Sequence, residues 1–234
     1  MIWGTFWTAI GALAAVAAAM IAFQQAAGRR RKSAYTVEGE KWVFDRGWSY
    51  ADLLHRLIDL DHLTLAGADL TAQDEGTAEQ WAPVFQKSPQ TWALIVYDKK
   101  LIVGYWSYFS VSDRLAARIE AGTLRDCEIT ADQVKSIREP GPHTIYFGMV
   151  ARHPDMTAKG DRAFRLLMRS MLKSLHYHLE RVDIQRAYAV CFTSEAARLC
   201  RDFNFAHVRN TESGRPLFVG KRGSFDLARL RRLI

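Results

Sequence analysis

The stretch that decides the fold reads TIYFGMVA at residues 144–151, RHPDMTAKGD at 152–161 and RAFRLLMRSMLKSLHYHLER at 162–181. The first part is an apolar run of strand length, and the second is a turn that contains Pro154 and Gly160. In the third part apolar residues recur at steps of three and four, which predicts a helix with one apolar stripe. The stripe consists of Phe164, Leu167, Met168, Met171, Leu172, Leu175 and Leu179. A strand that passes through such a turn into a helix N-terminus points unpaired backbone N–H groups at one place, which suits a phosphate.

At these residues the sequence resembles the GNAT superfamily of N-acyltransferases, whose fourth strand, pyrophosphate loop and following helix hold acyl-coenzyme A. The family loop reads roughly Val-x-Pro-x-x-Arg/Gln-x-x-Gly-x-Gly/Ala. Pro154, Lys159 and Gly160 agree with it, whereas Thr157 stands where Arg or Gln is usual. The resemblance covers roughly residues 92–221. Near its end, Asn204 replaces the closing glycine of the family and Cys200 stands where a tyrosine is often found.

The resemblance implies an α/β fold, with a GNAT-like mixed, mostly antiparallel twisted sheet flanked by helices. It also implies acetyl-coenzyme A or another acyl-coenzyme A as co-substrate. The implied coenzyme-binding residues are Val150, Ala151, Arg152, Thr157, Ala158, Lys159, Gly160, Arg162 and Ala163. Asp161 opposes this interpretation because a carboxylate in the loop repels phosphate. The alternative is an ordinary helix-start loop, in which Asp161 favours the positive end of the helix dipole.

Acyl transfer needs a group that takes the proton lost by the amine, and an acid for the leaving thiolate helps. In the family the base is often a carboxylate on the fourth strand, where this chain has Gly148. Glu139, His153 and Asp155 lie just outside that strand and could serve instead. Cys200 is the candidate catalytic residue, as a weak acid in place of the tyrosine. The alternative is that its thiol is a small core side chain.

The N-terminal residues predict a membrane anchor. No side chain from Met1 to Phe23 is charged, and such a helix would be about 35 Å long, enough for a bilayer core. The predicted organisation is a transmembrane helix at 1–24, a basic juxtamembrane segment and linker at 25–48, and a GNAT-like domain at 49–234. Basic residues follow the span, so the N-terminus is expected outside and the domain in the cytoplasm, at a bacterial inner membrane. A cleaved signal peptide is the competing interpretation, but it would carry its positive charge before the apolar run.

Charge and cysteine content limit the partners. The net charge is +7, but four of these charges are Arg29-Arg-Arg-Lys32, which suit anionic lipid, so residues 1–32 are expected to contact membrane lipid rather than nucleic acid. Gly11, Ala15 and Ala19 have a spacing that lets two helices pair as a homo-oligomer, although an Ala-rich span produces it by chance. Three cysteines show neither a disulfide framework nor a metal motif, and no metal is expected.

Local patterns predict the elements before the central stretch. Ser49 with Asp52 and Thr77 with Gln80 form capping boxes, which predict helices from Tyr50 and after Thr77. Apolar runs at 92–97 and 101–109 flank a turn and predict a hairpin that is covered on both faces.

The insertion at 111–142 contains Gly122-Thr-Leu-Arg-Asp126-Cys-Glu-Ile129. This run is similar to a Gly-x-x-x-Asp-x-x-Ile element in a subgroup of bacterial GNAT-like proteins. The insertion is either a cover for the acceptor site or a structural insertion.

Two functions follow from these observations. The first is a membrane-anchored, acyl-coenzyme A dependent N-acyltransferase with a small-molecule or protein amine as acceptor. The second is a catalytically inactive GNAT-fold binding or regulatory module tethered to the membrane.

Overall fold

The chain folds around one mixed sheet in the computed structural model, which describes residues 34–66, 76–155 and 161–224. The strands are β1 (Tyr35–Glu38), β2 (Trp92–Tyr97), β3 (Leu101–Val111), β4 (Val134–Lys135), β5 (Pro142–Arg152), β6 (Asp183–Val190), β7 (Ala206–Asn210) and β8 (Pro216–Lys221). The helices are α1 (Glu40–Phe44), α2 (Tyr50–Thr64), α3 (Ala78–Lys87), α4 (Asp113–Ala121), α5 (Asp161–Leu179) and α6 (Ser194–Asp202).

The sheet has the strand order β1-β2-β3-β5-β6-β8-β7, with the short β4 paired beside β3. Among the described strands β5 and β6 form the parallel pair, and the other ladders are antiparallel. Helix α5 connects β5 to β6, as a parallel crossover requires. The predicted architecture, a mixed and mostly antiparallel sheet flanked by helices, is confirmed.

Helices cover both faces of the sheet. On one face α2, α3 and α4 pack through Leu53, Leu57, Val84 and Leu115, all buried. On the other face α5 packs through its predicted stripe, in which Leu167, Met171, Leu172 and Leu175 are buried. The strands of the predicted hairpin, β2 and β3, are buried along nearly their whole length, which agrees with a sheet covered on both sides.

The predicted capping boxes begin two helices on the first face. Ser49 caps α2 and accepts from the backbone N–H of Asp52, and Thr77 does the same for Gln80 at the start of α3. Each cap satisfies backbone donors that the first turn of a helix leaves without a partner. Both helices start where the sequence predicts.

The prediction of a single-pass inner-membrane location is corrected by the structure. Of the helices that the structure describes, none is both long and apolar enough to cross a bilayer. The longest of them, α5, has 19 residues, but Arg162, Arg165, Arg169 and Lys173 make it amphipathic, with its apolar stripe against the sheet. The predicted span at 1–24 and the basic residues up to Lys32 lie outside the described residues.

A buried polar chain links β3 to α5. The hydroxyl oxygen of Tyr108 lies 2.7 Å from Ser174 Oγ and 2.7 Å from His178 Nδ1. Burial lowers the pKa of His178 from 6.5 to about 4, and repulsion from His143, Arg138 and Arg181 adds to the effect. The imidazole is therefore neutral in the folded protein at physiological pH.

This lowered pKa predicts a pH dependence of stability. Between about pH 6.5 and pH 4 the unfolded chain binds a proton at His178 that the folded chain does not, so stability falls as the pH falls through that window. The contribution should reach about 2 kcal/mol at its lower end, after allowance for solvent screening. Urea denaturation of the His178→Asn variant at pH 7 and pH 4.5 should show a smaller loss of stability than the native chain shows. The exposed His55→Asn variant is the control and should keep the native pH dependence, and a His178→Asn variant that also kept it would contradict this assignment.

Candidate functional site

Strands β5 and β6 run side by side for only part of the length of β5. Their ladder begins at Pro142 with Asp183 and its last pair is Phe147 with Ala189. On its other edge β5 stays paired with β3 as far as Arg152. Residues 148–152 therefore have no strand partner on the β6 side in the described structure, and backbone groups on that edge before Arg152 are available to a ligand.

A β-bulge lies where the two strands part. In the ladder with β3, Phe147 pairs with Tyr108 and Met149 pairs with Ser107, so Gly148 is the extra residue without a partner. A Cβ atom at this glycine would lie 2.9 Å from Phe109 Cε2 and 2.9 Å from Ser107 Oγ. The position thus has no room for a side chain, and no carboxylate can occupy it without displacing its neighbours.

The parting of β5 and β6 opens a cleft with a volume of about 190 Å³. Its walls are mostly apolar, and α6 closes one side. The lining residues from β5 and α6 are Phe147, Gly148, Met149, Val150, Ala196, Leu199, Cys200 and Phe203.

A second cavity, which we name the α2 cavity, lies against the helical face formed by α2 and α3 and has a volume of about 70 Å³. Aliphatic and aromatic side chains dominate its lining, which also contains Asp61 and Asp126. Leu65, Gly148, Met149 and Phe192 line both the α2 cavity and the cleft. The two spaces therefore adjoin at the bulge.

The insertion brings Asp126 to this cavity. Gly122 ends α4 with φ +74°, a conformation that favours glycine, and Ile129 is buried in the core. Between them, the amide of Gln80 donates to the carbonyl oxygens of Asp126 and Ile129 at 3.0 and 2.7 Å and so ties the insertion to α3. Each characteristic residue of the Gly-x-x-x-Asp-x-x-Ile pattern thus has a structural role: Gly122 ends α4, Asp126 lines the α2 cavity and Ile129 packs in the core.

Tyrosine hydroxyls hold both carboxylates. Tyr146 donates to Asp126 Oδ1 at 2.7 Å, and Tyr105 donates to Asp61 Oδ2 at 2.5 Å. Burial raises the pKa of Tyr146 well above its ordinary value, and the charge of Asp126 raises it further. The phenol therefore stays protonated and keeps donating to the aspartate.

The predicted coenzyme residues lie in different environments. Val150 lines the cleft, whereas Ala151 and Ala163 are buried in the core. The backbone of Arg152 is engaged by Thr64, whose Oγ1 accepts from the Arg152 N–H at 3.2 Å and lies 3.0 Å from its carbonyl oxygen. Arg162 is exposed in the first turn of α5. Thr157, Ala158, Lys159 and Gly160 lie outside the described residues.

The candidate catalytic residue Cys200 lines the cleft, and its Sγ lies 3.5 Å from Cys191 Sγ. The hydrogen bond between the thiols lowers the pKa of Cys200 and raises that of Cys191, whose burial raises it further. Cys200 is thus the more readily ionised thiol of the pair. Its role as a catalytic acid stays a prediction.

The residues suggested as substitute bases lie elsewhere. Glu139 lines a separate cavity beside His178. His153 and the exposed Asp155 form a contact of 4.0 Å and line neither the cleft nor the α2 cavity. The carboxylates that do line the α2 cavity are Asp61 and Asp126. A signal for Asp61 was present in the sequence, because it lies four residues after Leu57 and seven after Leu54, on the apolar face of α2.

Comparison with known proteins gives similarity to solved structures only. No family model matches the sequence, and no curated protein matches it. The loading GNATL domain of CurA from Lyngbya majuscula is 13% identical with a TM-score of 0.49, over 81% of this chain and 98% of that chain. An acetyltransferase of the GNAT family from Staphylococcus aureus Mu50 is 8% identical with a TM-score of 0.49, over 80% of this chain and 99% of that chain.

A third similar structure is yncA from Salmonella typhimurium with its cofactor acetyl-CoA. It is 10% identical with a TM-score of 0.44, over 81% of this chain and 95% of that chain. At these identities and TM-scores the likeness assigns neither a family nor an activity to the chain.

The crowding at Gly148 predicts a cost for any side chain there. Gly148→Ala should lower the free energy of unfolding by about 1–3 kcal/mol, because the new methyl group overlaps Phe109 and Ser107. Urea denaturation measures the change. Gly223→Ala is the matched control, since a Cβ at Gly223 would meet nothing within 4 Å. Equal stability of the two variants would show that the bulge is not packed as described.

Proposed function

We propose that the chain transfers an acyl group from acyl-coenzyme A to an amine. The observation that supports this most directly is the meeting of two spaces at one backbone bulge. The cleft beside the open edge of β5 and the α2 cavity with its two carboxylates share Gly148 and Met149. Two substrates, one in each space, would bring their reacting ends together at that point.

The cleft suits the pantetheine arm of coenzyme A. That arm carries amide groups, and an open strand edge offers the hydrogen-bond partners that amides need. Gly148, Met149 and Val150 both line the cleft and lie beyond the last pair with β6. Arg152 is less suited to this role because Thr64 engages its backbone. For the pyrophosphate, the residues that the resemblance implies, Thr157, Ala158, Lys159 and Gly160, and the exposed Arg162 are the proposed partners.

The reaction assigns a role to each space. Acyl-coenzyme A supplies an acyl group on a thioester. As the amine nitrogen forms a bond to the carbonyl carbon, the bond from that carbon to sulfur breaks, the nitrogen loses a proton and the sulfur gains one. A carboxylate of the α2 cavity is placed to take the first proton, and the Cys200 thiol on the cleft wall can supply the second.

One observation favours the second function, a module that binds without catalysis. Gly148 cannot carry the carboxylate that the resemblance leads one to expect on this strand. Asp61 from α2 and Asp126 from the insertion could replace that carboxylate, because both line the α2 cavity, which Gly148 also lines. We therefore favour the transferase.

Calorimetry on the full-length chain tests coenzyme binding. Coenzyme A, acetyl-coenzyme A and longer acyl-coenzymes should bind in the micromolar range. Ala196→Trp, which fills the cleft from α6, should weaken this binding about tenfold or more. Arg198→Trp is the matched control, because Arg198 is exposed on the same helix and does not line the cleft, so its affinity should stay within about threefold of the native value.

Turnover is followed by release of the free thiol of coenzyme A in the presence of amines. Failure of every acyl-coenzyme to bind at millimolar concentration would overturn the proposed function. Binding without turnover across a broad panel of amines would favour the non-catalytic module.

A further inference from the structure

The α2 cavity combines apolar walls with carboxylates from two distant parts of the chain. Asp61 comes from the last turns of α2, and Asp126 comes from the insertion after α4. The remaining lining includes Leu54, Trp81 and Phe109. Among the described residues that line the cavity, the two aspartates are the charged ones.

Both carboxylates are fixed in place. Each has one oxygen within hydrogen-bond distance of a tyrosine hydroxyl, Tyr105 for Asp61 and Tyr146 for Asp126. Those tyrosines lie on neighbouring strands, β3 and β5, and are themselves buried. The two aspartates are thus held by the sheet and oriented before any ligand arrives, which lowers the entropic cost of binding.

This lining selects a ligand by its charge. Two carboxylates at an apolar, partly enclosed surface attract a cation and repel an anion, and the attraction is stronger there than in bulk water. Aromatic rings such as those of Trp81 and Phe85 also favour a cation over a neutral group. The apolar walls in turn favour a hydrocarbon body over a strongly hydrated one.

We infer that the α2 cavity binds a primary amine on an apolar, aromatic or branched aliphatic body that has no carboxylate of its own, with the negative charges of Asp61 and Asp126 attracting its ammonium group. The inference rests on the proposed function, in which this amine is the acyl acceptor. Leu65 and Phe192 line both spaces, so a ligand in the α2 cavity would lie beside the cleft. Amino acids and acidic peptides are excluded by repulsion from the same two carboxylates.

The test measures amine binding without any coenzyme. Titrations of the full-length chain, by calorimetry or ligand-observed NMR, use 2-phenylethylamine, its neutral counterpart 2-phenylethanol, and phenylalanine. The amine should bind about tenfold or more tightly than either of the other two. Equal binding of the amine and the alcohol, or preferred binding of phenylalanine, would overturn the inference.

Variants locate the binding at the aspartates. Asp61→Asn and Asp126→Asn should each weaken amine binding about tenfold and leave binding of 2-phenylethanol nearly unchanged. Asp59→Asn, exposed on the same helix as Asp61, and Asp132→Asn, exposed in the same insertion as Asp126, are the matched controls and should bind like the native chain. Loss of amine binding in the controls as well, or unchanged binding in the two cavity variants, would contradict the assignment.

The outcome is separable from that of the proposed function. The selectivity for the amine in the native chain does not depend on the folding of any variant. If the chain binds the amine but no coenzyme, the result supports the cavity assignment and contradicts the proposed transferase function. If the chain binds coenzyme but shows no selectivity for the amine, the result is compatible with the transferase function and contradicts this class of acceptor.

Discussion

The arrangement depends on one constraint: β5 and β6 are parallel neighbours that stop pairing after Phe147 and Ala189. Backbone groups in a sheet interior ordinarily find partners in the next strand, and a strand edge without one needs water or a ligand. Here the edge is kept open because β5 continues, held on its other side by β3 and at its end by Thr64, while β6 turns away into α6. The same divergence creates the cleft, and the bulge at Gly148 marks its inner end.

Much of the fold could be predicted from local patterns. The spacing of Leu167, Met171 and Leu175 defines the face of α5 that meets the sheet, and Ser49 with Asp52 defines the start of α2. The departures from the family pattern also have physical explanations. Asn204 has φ +60°, a left-handed conformation that asparagine tolerates better than most residues other than glycine, so it can occupy the position of the family glycine. Gly148 is required by crowding from Phe109 and Ser107 rather than being a lost catalytic residue that could simply be restored.

The candidate site was harder to predict, because its polar residues are distant in sequence. Asp61 and Asp126 meet one cavity only through the packing of α2 and the insertion on the same sheet face, and no spacing rule encodes that meeting. Asp126 was visible within the Gly-x-x-x-Asp-x-x-Ile pattern, but its hydrogen bond with Tyr146 depends on the three-dimensional fold. The membrane location was a different kind of error: it was inferred from the composition of 1–24, whereas no helix that the structure describes is long and apolar enough to cross a membrane.

The central claim is that the open edge of β5 receives acyl-coenzyme A, and amide hydrogen exchange followed by NMR tests it most directly. Adding coenzyme A to the full-length chain should slow exchange at Val150, whose N–H points away from β3 to the open edge, while leaving residues 144–147, which already pair with β6, unchanged. Protection that appears only at the cavity beside His178, or none at Val150 despite saturating coenzyme, would contradict the account.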